Sequence, residues 1–197
     1  GQEGLRPAGC PAWGVQQIHG EIPTLAQMAA EAFRNAAGRG GQVDISIVKR
    51  IPVCAGMAGG SSDAAAVLRA MNELTGAGYT PAELAKIGEA VGSDVPYCVV
   101  GGTALAEGRG ERLTALPPLP PCHVVVCKPP FPISTPQLFS RVDMRKIARR
   151  PDTEGMLAAL ADGDLTGVAR RMYNVFEDVL EPRRQAEINA IKAALID

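Results

Sequence analysis

Apolar residues recur at helical spacing along most of this chain and alternate strictly in only one stretch. In TLAQMAAEAFRNAAG, residues 24–38, they gather on one face; Thr24 and Gln27 form a capping box and Gly38 is a stop, so a helix is predicted. In QVDISIVKRI, residues 42–51, Val43, Ile45 and Ile47 alternate with polar neighbours, which predicts a half-buried strand. After a glycine-rich loop, Ala64, Val67 or Leu68, Met71 and Leu74 return to helical spacing, and Gly76 ends that helix. YTPAELAKIGEAVG is a third helix, with Thr80 as cap, Pro81 in the first turn and Glu83 closing the box.

Further along, SDVPYCVVGG reads as a turn and a short apolar stretch, and TALAEGRGERLTAL as a hairpin through Gly108 to Gly110. PPLPP, residues 117–121, is the clearest linker. CHVVVCKP then predicts a buried strand, and PFPISTPQLFSRV a proline-rich loop entering a short helix capped by Ser134 or Thr135. TEGMLAALADG, LTGVARRMYNVFEDVL and RRQAEINAIKAALI are each read as helical, and there is no internal repeat. The order predicts an α+β chain of two domains, 1–118 and 119–197. GQEGLRPAGCPAWGVQQ shows no clear period, and the last helix stops without a cap, so the chain is expected to be a fragment of a longer product.

Composition narrows the function classes. With 46% apolar and 21% charged residues in 197, the chain can bury a real core. A net charge of −1 and 4% aromatic residues argue against nucleic-acid binding. No apolar run approaches a membrane span and the start lacks signal-peptide features, so a cytoplasmic protein is expected. The five cysteines form no CxxC pair and read as reduced thiols; His19 and His123 lack ligand spacing, so no metal ligand set is assigned.

The stretch IPVCAGMAGGSSDAAA, residues 51–66, sets small residues against a strong helix former. A helix start offers unpaired N–H groups and partial positive charge, and Gly56, Ala58, Gly59 and Gly60 let backbone close around phosphate oxygens. Ser61 and Ser62 add hydroxyls, for donation or for magnesium. The competing reading is a tight strand-to-helix turn with glycines for geometry alone. The loop is neither a Walker A loop nor a dinucleotide fingerprint.

Two further stretches carry candidate chemistry. Asp94, in a glycine-serine turn before Val95-Pro96, is suitably held to take a hydroxyl proton, although a capping or turn role is commoner for such an aspartate. Asp63, early in a helix, suits the helix dipole, and Glu107 and Arg109 are read as solvated charges. In KPPFPISTPQLFSRV, Phe139 could wall a flat ring and Thr135 reach its polar edge, or Phe139 could be an ordinary core residue. Tyr97 and Trp13 have no arguable role.

PVCAGMAGGSSDAAAVLRAMNEL resembles the central motif of the GHMP kinases, with Met57 for leucine and Ala58 for glycine. Within that family the likeness is to the kinases acting on 4-diphosphocytidyl-2-C-methyl-D-erythritol. The resemblance implies a two-domain α+β GHMP kinase fold. Its N-terminal ATP-binding domain would lack the first strands, and its ferredoxin-like C-terminal domain would lack the last segment. It implies ATP binding by Pro52, Val53, Cys54, Ala55, Gly56, Met57, Ala58, Gly59, Gly60, Ser61 and Ser62, with Mg2+ neutralising the phosphates. It also implies that Asp94 is the base, since these kinases carry Gly-(Ala or Ser)-Asp-Val-Pro at this distance. Thr135, Pro136 and Phe139 match a turn and aromatic on the cytidine side of the pocket. YNVFEDVL, with Asn174 and Glu177, resembles a helix these enzymes share, and both residues are given structural roles.

The implied reaction moves the γ-phosphate of ATP to the 2-hydroxyl of that substrate, in the non-mevalonate isoprenoid route. Three family features have no counterpart here: an N-terminal catalytic lysine, a tyrosine-histidine pair and a last glycine-rich loop. Lys49 is not expected to replace the lysine. An inactive product with residual nucleotide binding, or a kinase for homoserine or a mevalonate relative, are the competing expectations.

Overall fold

The computed structural model describes residues 24–39, 41–52, 55–131, 133, 135–143, 147 and 149–195. Helix α1, Leu25–Ala37, starts at the predicted Thr24–Gln27 capping box and ends at Gly38 in the left-handed region. Helix α2, Gly59–Thr75, runs out of the glycine loop and stops at Gly76, also left-handed. Helix α3, Pro81–Gly88, opens on the Thr80–Glu83 box, and α4, Val95–Val100, follows one turn later. Strands β1, Ala104–Glu107, and β2, Arg112–Ala115, form the predicted antiparallel hairpin, with Ala104 opposite Ala115 and Glu107 opposite Arg112.

The main core is the face α1 shares with α2. Ala29, Ala30 and Phe33 meet Ala64, Ala65, Leu68 and Met71, and the alanines let the two backbones approach closely. Phe33, Leu68, Met71, Val95 and Pro96 are the largest fully buried side chains. Each contributes roughly 1.5–3 kcal/mol of burial. Phe33 meets Tyr79 edge to face at 5.8 Å. Asn72 clasps the Tyr79 backbone, donating to its carbonyl at 2.8 Å and accepting from its N–H at 2.9 Å. Arg69 on α2 donates to the carbonyls of Cys98 and Val99 in the last turn of α4. At Gly88 an added Cβ would lie 2.8 Å from Val95 Cγ1, so only glycine lets α3 seat against α4.

The second half contains α5, Thr135–Arg141; α6, Thr153–Ala161; α7, Leu165–Arg171; a 3-10 turn, Val175–Val179; and α8, Pro182–Ala194. Asp152 and Asp164 cap α6 and α7 through the N–H groups of Gly155 and Gly167. A smaller core of Ala159, Leu160 and Val168 packs with Leu116 and Met156. Among the described residues no helix is long and apolar enough to cross a membrane.

Several expectations change. Residues 42–51 keep their alternation, with Val43, Ile45 and Ile47 half-buried, yet pair with no neighbouring strand among the described residues. The 122–128 stretch is not a buried strand: Val124 and Val125 are each 75% exposed. Both reveal the same limit, since a pattern identifies a strand's face and not its partner. Leu74 is 81% exposed, because the buried stripe of α2 passes through Met71 to the half-buried Thr75. The apolar stretch after Asp94 is the helix α4, with Pro96 in its first turn. Residues 165–180 are not one helix. Asn174 Oδ1 accepts from Phe176 N–H at 3.1 Å and starts a separate turn, the local competition that makes asparagine a poor interior residue.

The cap of α3 yields a pH-dependent test. Hydrogen bonds first from the Thr80 N–H and then from its hydroxyl hold the Glu83 carboxyl below its ordinary value of 4.5. The folded value is depressed, so the charge-dependent stability is full above the ordinary value and lost as pH falls through the folded one. Glu83→Gln is expected to lower Tm at pH 7 and to match the unsubstituted chain only once pH falls below the folded value of the carboxyl, where it is protonated in both the folded and unfolded states. A constant difference across that range would contradict the charged cap.

Candidate nucleotide site

The glycine loop reaches α2 through Ala58, which is left-handed at φ 49° and ψ 26° although it carries a Cβ. That conformation costs an alanine on the order of 1 kcal/mol. No side chain caps α2, and the Ser62 N–H donates to the Ala58 carbonyl at 2.8 Å across its first turn. The N–H groups of Gly59, Gly60 and Ser61 therefore lie at the open, partly positive helix end. Gly59 has a packing reason as well: a Cβ there would stand 2.8 Å from Ile51 Cγ2. Ser62 Oγ donates to the Gly59 carbonyl at 2.9 Å, so that hydroxyl braces the turn, while Ser61 is buried.

This end opens into a cavity of about 870 Å³. Pro52 and the loop from Ala55 to Gly60 form one side, with Lys49, Asp63 and Asp94 beside them. Lys128, Phe131, Leu138, Phe139, Asn174 and Phe176 form the other. Val53 and Cys54, expected in the loop, lie outside the described residues.

Asp94 is the residue preceding α4, but its side chain makes no capping bond. Its carboxylate is exposed to the cavity instead. The chain places it there through Val95 and Pro96, both buried, and through the hairpin tip, where Gly110 lies so near that a Cβ would be 3.0 Å from the Ser93 carbonyl oxygen. Its charge reaches the core: burial first, and the Asp94 charge second, push the Cys98 thiol above its ordinary value. Glu107 and Arg109 are exposed on the hairpin.

Phe139 is 64% exposed, so it is a wall residue and not a core one. It meets Phe176 edge to face with ring centroids 4.8 Å apart. Thr135 and Pro136 open α5, and their side chains lie outside the described residues. Asn174 holds the turn that presents Phe176, and Glu177 accepts from Lys192 at 2.6 Å.

The sequence reading missed two features of this cavity. Lys49 lines it, with its ammonium hydrogen-bonded to Asp63. Asp63, expected in the first turn of the helix to serve its dipole, lies beyond that turn because α2 starts at Gly59, and it is bonded to this lysine. The alternation that placed Val43, Ile45 and Ile47 on the inner face also places Lys49 there, and that signal was available. Phe176 had no such signal, since it was read inside a continuous helix.

Residues 24–102 match the GHMP kinases N terminal domain. A 4-diphosphocytidyl-2-C-methyl-D-erythritol kinase from Exiguobacterium sibiricum is 44% identical over 179 residues, 89% of this chain and 62% of that protein. The kinase of the same name from Brevibacillus brevis is 50% identical over 137 residues, 70% of this chain and 47% of its own length. The chain thus spans 47% to 62% of these two relatives. A crystal structure of 4-(cytidine 5'-diphospho)-2C-methyl-D-erythritol kinase superposes with TM-score 0.63 at 37% identity, over 79% of this chain and 55% of that one. The α+β fold and the glycine loop have the same origin: the chain belongs to the GHMP kinase family.

Proposed function

We propose that this chain carries the nucleotide site and part of the substrate pocket of an ATP-dependent kinase. The kinase would transfer the γ-phosphate to the 2-hydroxyl of 4-diphosphocytidyl-2-C-methyl-D-erythritol in the non-mevalonate isoprenoid route, in the cytoplasm. One observation carries the reading: an uncapped helix start, an exposed carboxylate and an aromatic wall face one cavity. The relatives' names supply the substrate.

In this reading the N–H groups of Gly59, Gly60 and Ser61 bind phosphate oxygens, with Pro52 to Ser62 forming the cradle. Asp94 accepts the proton of the attacking hydroxyl, which needs a carboxylate open to the cavity and free of a capping bond. Phe139, with Thr135 and Pro136, takes the cytidine side. Among the described residues no three acidic, histidine or cysteine side chains converge. Magnesium would be held mainly by the phosphates and water; of the two hydroxyls offered for it, Ser62 Oγ is bonded to the Gly59 carbonyl and Ser61 is buried. Magnesium would neutralise developing charge on the phosphates. The division into 1–118 and 119–197 belongs to the same proposal and puts the cavity between the two parts.

Asp94→Asn is expected to slow single-turnover transfer from ATP by ~100-fold or more. ATP affinity should stay unchanged. An unaffected rate would remove Asp94 as base, and absent transfer by the unsubstituted chain would leave a nucleotide-binding fragment. Phe139→Ala is expected to weaken binding of the cytidine substrate by about 10-fold or more, given roughly 1–3 kcal/mol for stacking one base on an aromatic ring. Calorimetry checks this, and undiminished affinity would favour a different alcohol as substrate.

A further inference from the structure

The glycine loop is pinned at both ends by one ion pair. Lys49 belongs to the segment entering the loop and Asp63 to the helix leaving it, and their side chains meet directly. The Lys49 side chain is 9% exposed and that of Asp63 29%, whereas the helix-surface pair Arg183–Glu187 is 92% and 44% exposed. Water and salt screen the first pair far less than the second. The lysine ammonium also stands 3.4 Å from where a Gly59 Cβ would be, so it abuts the backbone that begins α2.

The loop needs such a constraint. Ala58 stays in a left-handed conformation that alanine disfavours, and no side chain caps the helix it starts. Left to itself, the first turn would relax toward ordinary dihedrals and turn its N–H groups away. The bond from Ser62 Oγ to the Gly59 carbonyl braces the turn from inside, and Ile51 packs on Gly59 from outside. The Ile51 contact spans the loop through packing alone, whereas the Lys49–Asp63 pair joins its two ends through a charge-assisted hydrogen bond.

We infer that Lys49 is a positioning residue of the phosphate site: through Asp63 it fixes the first turn of α2, so that the N–H groups of Gly59, Gly60 and Ser61 stay aimed into the cavity. This inference rests on the proposed nucleotide reading. It differs from a direct role, in which the ammonium would leave Asp63 and bind phosphate itself. In the structure the ammonium is already engaged by Asp63.

Lys49→Met, Asp63→Ala and the double variant separate the two roles by ATP affinity. A clamp predicts that each single change weakens ATP by about 10-fold and that the double change is no worse, as coupling within one ion-pair network requires. Lys49→Arg, which keeps the charge and the reach, should recover most of the affinity. If Asp63→Ala binds ATP as well as or better than the unsubstituted chain while Lys49→Met loses it, Lys49 contacts phosphate directly and the inference falls.

Amide hydrogen exchange at Ser62, whose N–H is bonded to Ala58, needs no nucleotide. Both single variants should speed it relative to the Leu68 amide in the middle of α2, and unchanged exchange would overturn the clamp. Absent ATP binding by the unsubstituted chain would defeat the nucleotide reading, while the exchange measurement would still decide the clamp. Equal acceleration at Ser62 and Leu68 would mean a loosened fold and would also count against it.

Discussion

A helix that starts without a cap leaves N–H groups whose burial is costly until an acceptor arrives. α2 starts that way, through an alanine held at positive φ. A serine or aspartate in that position would satisfy the turn and close the site. The neighbouring structure supports the open end from three directions: Ile51 packs on Gly59, Leu25 approaches Gly60, and Lys49 reaches Asp63. The core between α1 and α2 gives that end a rigid base, since Phe33, Leu68 and Met71 are almost fully buried beneath it.

The second carboxylate depends on the same helix. Arg69 ties α2 to the carbonyl end of α4, and Asp94 stands at the other end of α4. Val95 and Pro96 anchor the first turn in the core. Loop and aspartate are therefore two ends of one packed unit, and their relation is set by side chains with no chemical role. The aromatic wall comes from elsewhere in the chain, from α5 and the 3-10 turn, where Phe139 and Phe176 support one another.

Much of this was legible in the sequence where local chemistry decides the outcome. Thr24 with Gln27 and Thr80 with Glu83 mark helix starts because their bonds close within one turn. The glycine loop was legible because small residues carry specific backbone meaning, whereas Asp94 was singled out by the family resemblance, since its stretch alone favoured a capping or turn role that the structure does not show. The strands of 42–51 and 122–128 were not, because pairing depends on a partner that no local pattern names. The break at Asn174 was missed because apolar periodicity continued through it, while one side-chain bond to Phe176 N–H decided the conformation. Lys49 was weighed only as a replacement for the family's N-terminal lysine, although its strand-like face places it inward with Ile45 and Ile47.

The central claim is that the open start of α2 is a phosphate site. Backbone amide chemical shifts during an ATP titration test it most directly. The account predicts that the largest shifts fall on the N–H groups of Gly59, Gly60 and Ser61 and saturate together. Saturable shifts centred elsewhere, with these three amides unmoved, would contradict it.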